Sequence, residues 1–409
     1  AVGYTTHNID KMAAEGMRLT QFLTAAPFSG PSRAGLMTGC YPVRVNFTGN
    51  LTPGATKGLS PKEMTMAELL KQKGYTTAAY GKWHLGEKRE FLPLQRGFDE
   101  FYGIPYSHDM WLHHPQNSKY KFGDLPTLSG NDIVEINVDP ARITTDYTEH
   151  TVDFIKRNKK NPFFIYLAHP MPHTPLAVSD KFKGKSEVGL YGDVMMELDW
   201  SVAQILKALR TEKIEENTMV VLTSDNGPAL MYGNHAGSSG GLREGKGATY
   251  EGGHRVPCII YWKGVVEAGS VSSKLASNID LFATAAEISG APLPERAIDG
   301  VSLLPILKGE PGANPRKYYI YQKGAGGVRA VSNGLYKLVF PHSFTSCTTT
   351  IPGKDGIPGK RAGMKITTME LYDLRRDAGE RYNVISEHPE IMEELKQVAN
   401  EYRQSLKKD

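Results

Sequence analysis

Several side chains of the kinds that handle anions stand in short blocks rich in glycine and proline. The first block reads Ser29-Gly-Pro-Ser-Arg33 and runs on to Thr38-Gly39. Gly81-Lys-Trp-His-Leu-Gly86, His169-Pro-Met-Pro-His173-Thr-Pro175 and Ser224-Asp-Asn-Gly227 follow, then Gly245-Lys-Gly247 with Glu251-Gly-Gly-His-Arg255. They supply a hydroxyl (Ser29), a guanidinium (Arg33), two ammonium groups (Lys82, Lys246) and two imidazoles (His84, His173). Such a set can neutralise an oxyanion, attack it and protonate a leaving group. Asp225 and Asn226 are adjacent hard oxygen donors, suited to calcium or magnesium rather than zinc. Each block also has a plainer reading. Ser, Gly and Pro mark turns, Ser32 can cap the next helix, Asp-Asn-Gly is a common turn, and a lone histidine is more often a satisfied one.

The elements that must position these blocks weigh against the plain readings. Tyr75–Tyr80, Pro162–Leu167, Thr218–Ser224 and Pro257–Trp262 are short apolar runs, as expected of strands buried on both faces. Amphipathic stretches lie between them: Met66–Lys73 ending at Gly74, Thr144–Asn158, and Tyr191–Leu209. Alternation of this kind predicts an α/β layered fold. Three of the blocks fall at the C-terminal ends of predicted strands, where active-site loops of such folds gather. Gly309–Arg316 is turn-rich and reads as a boundary. Beyond it come strand candidates at Tyr318–Gln322, Gly327–Ser332 and Leu335–Val339, a loop over Pro352–Lys365, and a polar helix from His388 to Lys407. The expected organisation is a catalytic domain over 1–312 and a smaller α+β domain with a short antiparallel sheet over 313–409.

Composition excludes other classes. Of 409 residues, 40% are hydrophobic and 22% charged, which is globular rather than disordered or coiled-coil. A net charge of +4 is small for this size and argues against a nucleic-acid partner. Three scattered cysteines make a disulfide framework improbable. No run approaches eighteen apolar residues, so no membrane span is expected. The opening Ala1-Val-Gly-Tyr-Thr-Thr lacks the basic and apolar regions of a signal peptide.

The first block resembles the sulfatase signature, a Cys or Ser followed by x-Pro-Ser-Arg and then Thr-Gly. Its six fixed positions match by chance in about 1 in 100,000 chains of this length at background frequencies. The later blocks agree with it in order, as do Phe91–Phe98, Gly103–Asp109 and Leu371–Glu380, so the resemblance covers nearly the whole chain. It is closest to the arylsulfatase A and N-acetylgalactosamine-6-sulfatase branch of the alkaline-phosphatase-like superfamily. It implies a large central mixed β-sheet flanked by helices, and a formylglycine-dependent type I sulfatase. In that family the nucleophile is a formylglycine hydrate made from the Cys or Ser, here Ser29. One gem-diol oxygen attacks sulfur; the other, once deprotonated, expels sulfate and regenerates the aldehyde. By the same resemblance Arg33 holds the hydrate, His84 assists its collapse, Lys82 and Lys246 bind sulfate oxygens, and His173 protonates the leaving oxygen. Calcium, or magnesium, is held by position 29, Asp225 and Asn226. The family's further ligands, an Asp-Asp pair on a first strand, lie upstream of the segment that here reads Thr6–Glu15, and this sequence shows no such pair. The expectation is a chain without that strand rather than a defective metal site.

Specificity must come from residues outside the sulfate pocket. The substrate-binding candidates are Ser107, His108, Asp109, His235 and Arg243, with His113 and His114 nearby. Their polarity suits sugar hydroxyls, which points to a sulfated sugar or glycan of the galactose or N-acetylgalactosamine type. Two other readings stay open: a phosphatase or phosphodiesterase using unmodified Ser29, and a non-catalytic glycan-binding protein. A serine at position 29 with few cysteines resembles bacterial sulfatases, exported to the periplasm or beyond and matured by a serine-accepting formylglycine-generating enzyme.

Overall fold

Thr77, Ala78, Ala79 and Tyr80 are small or β-favouring side chains, and the strand they build, β3 (Thr76–Lys82), is almost wholly buried. In the computed structural model, which describes residues 2–407, β3 lies inside a five-stranded sheet. The order is β6 (Asp132–Ile136), β5 (Pro126–Ser129), β4 (Glu100–Ile104), β3 and β7 (Phe163–Ala168). β3 runs parallel to β4 and β7, while β5 and β6 add antiparallel strands at one side. A four-stranded sheet has the order β10 (Ser270–Ser272), β1 (Met17–Leu19), β9 (Cys258–Tyr261) and β8 (Val220–Thr223), again mixed. A short parallel pair joins β2 (Phe22–Leu23) to β11 (Ala276–Ser277).

Helices cover both faces. Ile143–Asn158 lays Tyr147 and Phe154 on Ala78 and Tyr80 of β3. On the other face Ala34 and Met37, from the helix Ser29–Thr38, pack with Ala79 and Trp83. Long-range polar contacts tie the cover together. The helix His7–Glu15 has no local side-chain cap, and its first N–H groups, of Asn8 and Ile9, donate instead to Asp199 at 2.9 and 2.7 Å.

The mixed β-structure flanked by helices that the resemblance implies is present, its main strands paired in a five-stranded and a four-stranded group. β7 and β8 were expected to be fully buried, yet both are mostly half-buried. The reason is that each ends its own sheet, and no ladder joins them among the described residues. Both edges nevertheless serve the same clusters: Phe164 with Val221, and Phe163 and Ile165 with Val220.

The C-terminal part is a four-stranded antiparallel sheet, β12 (Tyr319–Gln322), β13 (Val328–Ser332), β14 (Tyr336–Val339) and β17 (Glu370–Asp373). The helix Pro389–Ser405 seals one face of it with Leu395 and Ala399. β15 (His342–Ser346) and β16 (Ala362–Ile366) form a separate ribbon, so the expected loop over Pro352–Lys365 ends in a strand. This sheet shares one hydrophobic cluster with Leu23, Ala25, Tyr41 and Tyr250 of the larger part. The three cysteines are free and buried.

Candidate active site

Ser29 is the first residue of the helix Ser29–Thr38, which starts after the extended Phe28. Pro31 is tolerated there because first-turn N–H groups have no helical partner. The helix stops at Gly39, whose φ of +69° favours glycine and whose N–H returns to Gly35 O. Ser32 is not the cap: its Oγ accepts from Asn278 Nδ2 at 3.0 Å. The open N–H of Gly30 donates to Asn50 Oδ1 at 2.8 Å, so a distant loop fixes the turn that carries Ser29.

Lys82 ends β3 directly beneath Ser29 and donates from Nζ to Ser29 Oγ at 3.2 Å. It is 2% exposed, and burial, with Arg33 next, lowers its ammonium to about 7. Ser29 Oγ also lies 3.4 Å from Asn226 Oδ1. Arg33 grips Asp225 Oδ2 through Nε at 2.9 Å and Nη2 at 2.8 Å. Its Nη1 donates to Lys82 O at 2.7 Å and Tyr166 Oη at 3.1 Å, which leaves the guanidinium little freedom. Burial works to raise the Asp225 carboxyl, but Arg33, Lys82 and Lys246 outweigh it and hold it well below the usual range.

His84 follows Lys82 with a φ of +63°. Its Nε2 lies 3.0 Å from Leu51 O and so carries the proton, which leaves Nδ1 bare, buried and without a partner. Burial, then Lys82, lowers the imidazole to about 3. His173 Nδ1 is 2.6 Å from its neighbour's carbonyl, Thr174 O, and 3.9 Å from Asp109 Oδ1. Burial and then Lys246 push His173 well below the ordinary imidazole value, with Asp109 opposing them. Lys246 is itself lowered by burial, with Asp225 and Asp109 opposing. Lys82, Lys246, Arg33, Asp225, Asp109 and His173 therefore share one field, with Ser29 in contact with Lys82.

The sulfatase family model matches residues 2–291 of this chain. The chain belongs to the sulfatase family. It is thereby a sulfuric ester hydrolase by kinship, and the C-terminal model of N-sulphoglucosamine sulphohydrolase matches residues 245–340. The chain is 37% identical to the N-acetylgalactosamine-6-sulfatase of Canis lupus familiaris, over 98% of this chain and 81% of that protein. Human arylsulfatase A is also 37% identical, over 96% of this chain and 82% of its own length. The solved structure of a sulfatase from Pseudoalteromonas sp. superimposes with a TM-score of 0.87 at 28% identity, covering 100% of this chain and 86% of that one.

Membership in the sulfatase family implies a formylglycine and a divalent metal. The donors that face Ser29 are hard oxygens, Asn226 Oδ1 and the Asp225 carboxylate, which fit such a cation in kind. With Ser29 Oγ they make three donor groups, fewer than the six to eight oxygens calcium takes. Among the described residues, one cluster of histidine and acidic side chains has metal-ligand spacing: His108, Asp109 and His173, whose ligand atoms lie within 4.8 Å of one another. Lys82 and Lys246 act on both histidines, and their positive charge opposes a cation there.

The rim residues divide. Ser107, His108 and Asp109 are at the pocket: His108 Nε2 lies 3.0 Å from Pro175 O, and its ring stands 5.8 Å from that of His173. His108 Nδ1, Ser107 Oγ and Asp109 Oδ1 are left without hydrogen-bond partners. Arg243 is not brought into the cluster; its Nη1 donates to Tyr372 Oη at 3.1 Å and Glu380 O at 2.9 Å, and it lies over the Tyr250 ring. His235 sits against Gly356 and Asp355 instead. His113 packs on Trp111, and His114 Nδ1 accepts from Gln116 N. Sequence reasoning missed Asn50 and Tyr166, which hold the Ser29 turn and Arg33. Tyr166 carried a signal, since alternation in the strand beside β3 brings every second side chain to the face that bears the helix Ser29–Thr38.

Proposed function

We propose that this sulfatase removes O-sulfate from a sugar or glycan, of the galactose or N-acetylgalactosamine type, with formylglycine at position 29. The observation that carries the reading is Ser29 Oγ held between Lys82 Nζ at 3.2 Å and Asn226 Oδ1 at 3.4 Å, in the field shared by Lys246 and His173. Lys82 and Lys246 take the sulfate oxygens, and Arg33, locked by Asp225 and Tyr166, fixes the nucleophile. The formylglycine hydrate supplies one oxygen to attack sulfur and a second to expel sulfate. His84 keeps Nδ1 bare, because its Nε2 proton goes to Leu51 O, and so offers the hydrate an acceptor. His173 is suited to deliver a proton: burial and then the lysine charges keep it neutral, and an arriving sulfate offsets the charges. Position 29, Asp225 and Asn226 would hold calcium, which supplies positive charge beside the reacting oxygens. Ser107, His108 and Asp109 face the leaving group. The bare acceptors of His108 and Asp109 call for hydroxyl donors, which favours a free sugar hydroxyl beside the ester. The relative named for N-acetylgalactosamine 6-sulfate supports the same class.

In this reading residues 1–312 form the catalytic domain and 313–409 the smaller one. The host is bacterial, the protein acts in the periplasm or outside the cell, and a serine-accepting maturase makes the formylglycine. No helix among the described residues is long and apolar enough to cross a membrane. The test is a panel of sulfated galactose, N-acetylgalactosamine and N-acetylglucosamine compounds, run on protein co-expressed with such a maturase. Turnover restricted to sulfated aryl compounds would remove the sugar assignment.

A second reading rests on Lys82 alone. An amine lowered to about 7 and 3.2 Å from Ser29 Oγ can act as a base towards an unmodified serine, as in a phosphatase. Mass spectrometry separates the two, because serine converted to formylglycine loses two hydrogens. Full sulfatase activity with unmodified Ser29 would favour the direct serine.

A further inference from the structure

The backbone around Gly247, next to Lys246, is held by a local turn, Ala248 N–H to Gly245 O at 3.1 Å, and from three other parts of the chain. Lys246 N–H donates to Pro228 O at 2.8 Å, two residues beyond Asn226. Gly247 N–H donates to Pro27 O at 2.8 Å, two residues before Ser29. The third hold comes from the C-terminal sheet: Lys323, in the turn between β12 and β13, donates from Nζ to Gly247 O. Gly247 has a φ of +93° and open space where a Cβ would stand, so neither side-chain packing nor rotamer restraint fixes this backbone.

The rest of the segment is anchored without Lys323. Glu251 N–H donates to Glu380 Oε2 at 2.7 Å, and Lys337 Nζ lies 3.2 Å from Glu251 Oε1. Arg243 is tied to Tyr372 and Glu380 at the other end. Between these anchors, the carbonyl beside Lys246 depends on one cationic donor from another part of the fold.

We propose that Lys323 is a positioning residue for catalysis, which through the Gly247 carbonyl sets where Lys246 meets the sulfate group. The inference rests on the reading of Lys246 as a sulfate-binding side chain. A hydrogen bond from an ammonium to a peptide oxygen is stronger than a neutral one. Misplacement of a binding group by about 1 Å can cost on the order of a hundredfold in rate. Lys323 does not touch the nucleophile, so it acts only through the loop.

The test is a double-mutant cycle on the matured enzyme, with formylglycine content checked by mass in every variant. Lys323→Met is expected to lower kcat/KM about tenfold with its melting temperature unchanged, and Lys323→Arg, which keeps a cationic donor, to restore most of the loss. Lys246→Ala alone should be strongly impaired, and Lys246→Ala/Lys323→Met no worse than Lys246→Ala. The affinity for inorganic sulfate as inhibitor should weaken in Lys323→Met by a similar factor. Impaired Lys246→Ala with a full further loss in the double variant would overturn the positioning role, because Lys323 would then act independently. Wild-type rates in Lys323→Met overturn it equally. Wild-type rates in Lys246→Ala would instead sink the sulfate-binding reading beneath it.

Discussion

Lys82 and Lys246 are two buried amines in one field of charges, each depressed by burial, and such groups are costly to keep unless they meet a counter-charge. Asp225 meets part of that need but is itself engaged twice by Arg33. On the proposed reading, a bound sulfate monoester supplies the remainder. Removing one donor to developing charge typically costs about a hundredfold or more. Lys82→Ala and Lys246→Ala are each expected to lower turnover of a sulfate ester by about that factor while far-ultraviolet circular dichroism stays unchanged. Unchanged rates in both would take the lysines out of the chemistry.

At the scale of elements, the site depends on how closely β3 and β7 run where β3 delivers Lys82. Gly81 has a φ of +107°, and a Cβ there would stand 2.2 Å from Ala168 O. Any side chain must push the two strands apart or twist the residue before Lys82. A left-handed conformation at a non-glycine residue costs about 1–3 kcal/mol, and the backbone clash adds to it. Gly81→Ala is therefore expected to shift the urea midpoint downward and to reduce turnover at least tenfold, since Lys82 Nζ would leave Ser29 Oγ. Equal turnover in Gly81→Ala would show that the strand end tolerates movement.

Across the whole molecule, a buried charge group joins the two parts. Lys337 of β14 lies 2.8 Å from Glu380 Oε1 and 3.2 Å from Glu251 Oε1, and all three side chains are fully buried. Arg255 pairs with Glu251 at 2.7 Å, and Tyr321 donates to Glu251. Burial pushes the Glu380 carboxyl up to about 7, with Glu251 adding to burial and Lys337 opposing. Burial also acts to raise Glu251, but Arg255 and Lys337 prevail and hold it at about 2. The signs differ. Between about pH 4.5 and 7 the folded chain keeps a proton on Glu380 that the unfolded chain releases, so this group's contribution to stability falls as pH rises through that window. Glu251 acts the other way: its contribution is present above about 4.5 and is lost as pH falls toward 2. Glu380→Gln should flatten the decline of the denaturant midpoint between pH 4.5 and 7. An unaltered slope would show Glu380 ionised throughout that range.

The types and order of the candidate reacting groups were determined by the sequence alone. Burial of a short apolar run and the stop imposed by glycine or proline are local properties, so Lys82 after Tyr75–Tyr80 and Asp225 after Thr218–Ser224 could be placed at strand ends before any fold was known. The antiparallel strands and polar helix of the C-terminal part were legible for the same reason. Contacts between distant loops were not. Asn50 on the Gly30 N–H and Tyr166 on Arg33 join positions 20 and 133 residues apart, and nothing in either stretch names its partner. Arg243 and His235 sit beside the motifs in sequence, yet Arg243 bonds to Glu380 O and His235 packs beside Gly356. The half-burial of β7 and β8 was likewise hidden, because an apolar run is the same whether its strand is flanked on both sides or ends a sheet. Only tertiary structure decides which donors meet which acceptors, because a hydrogen bond is set by position in space and the chain alone records position along itself.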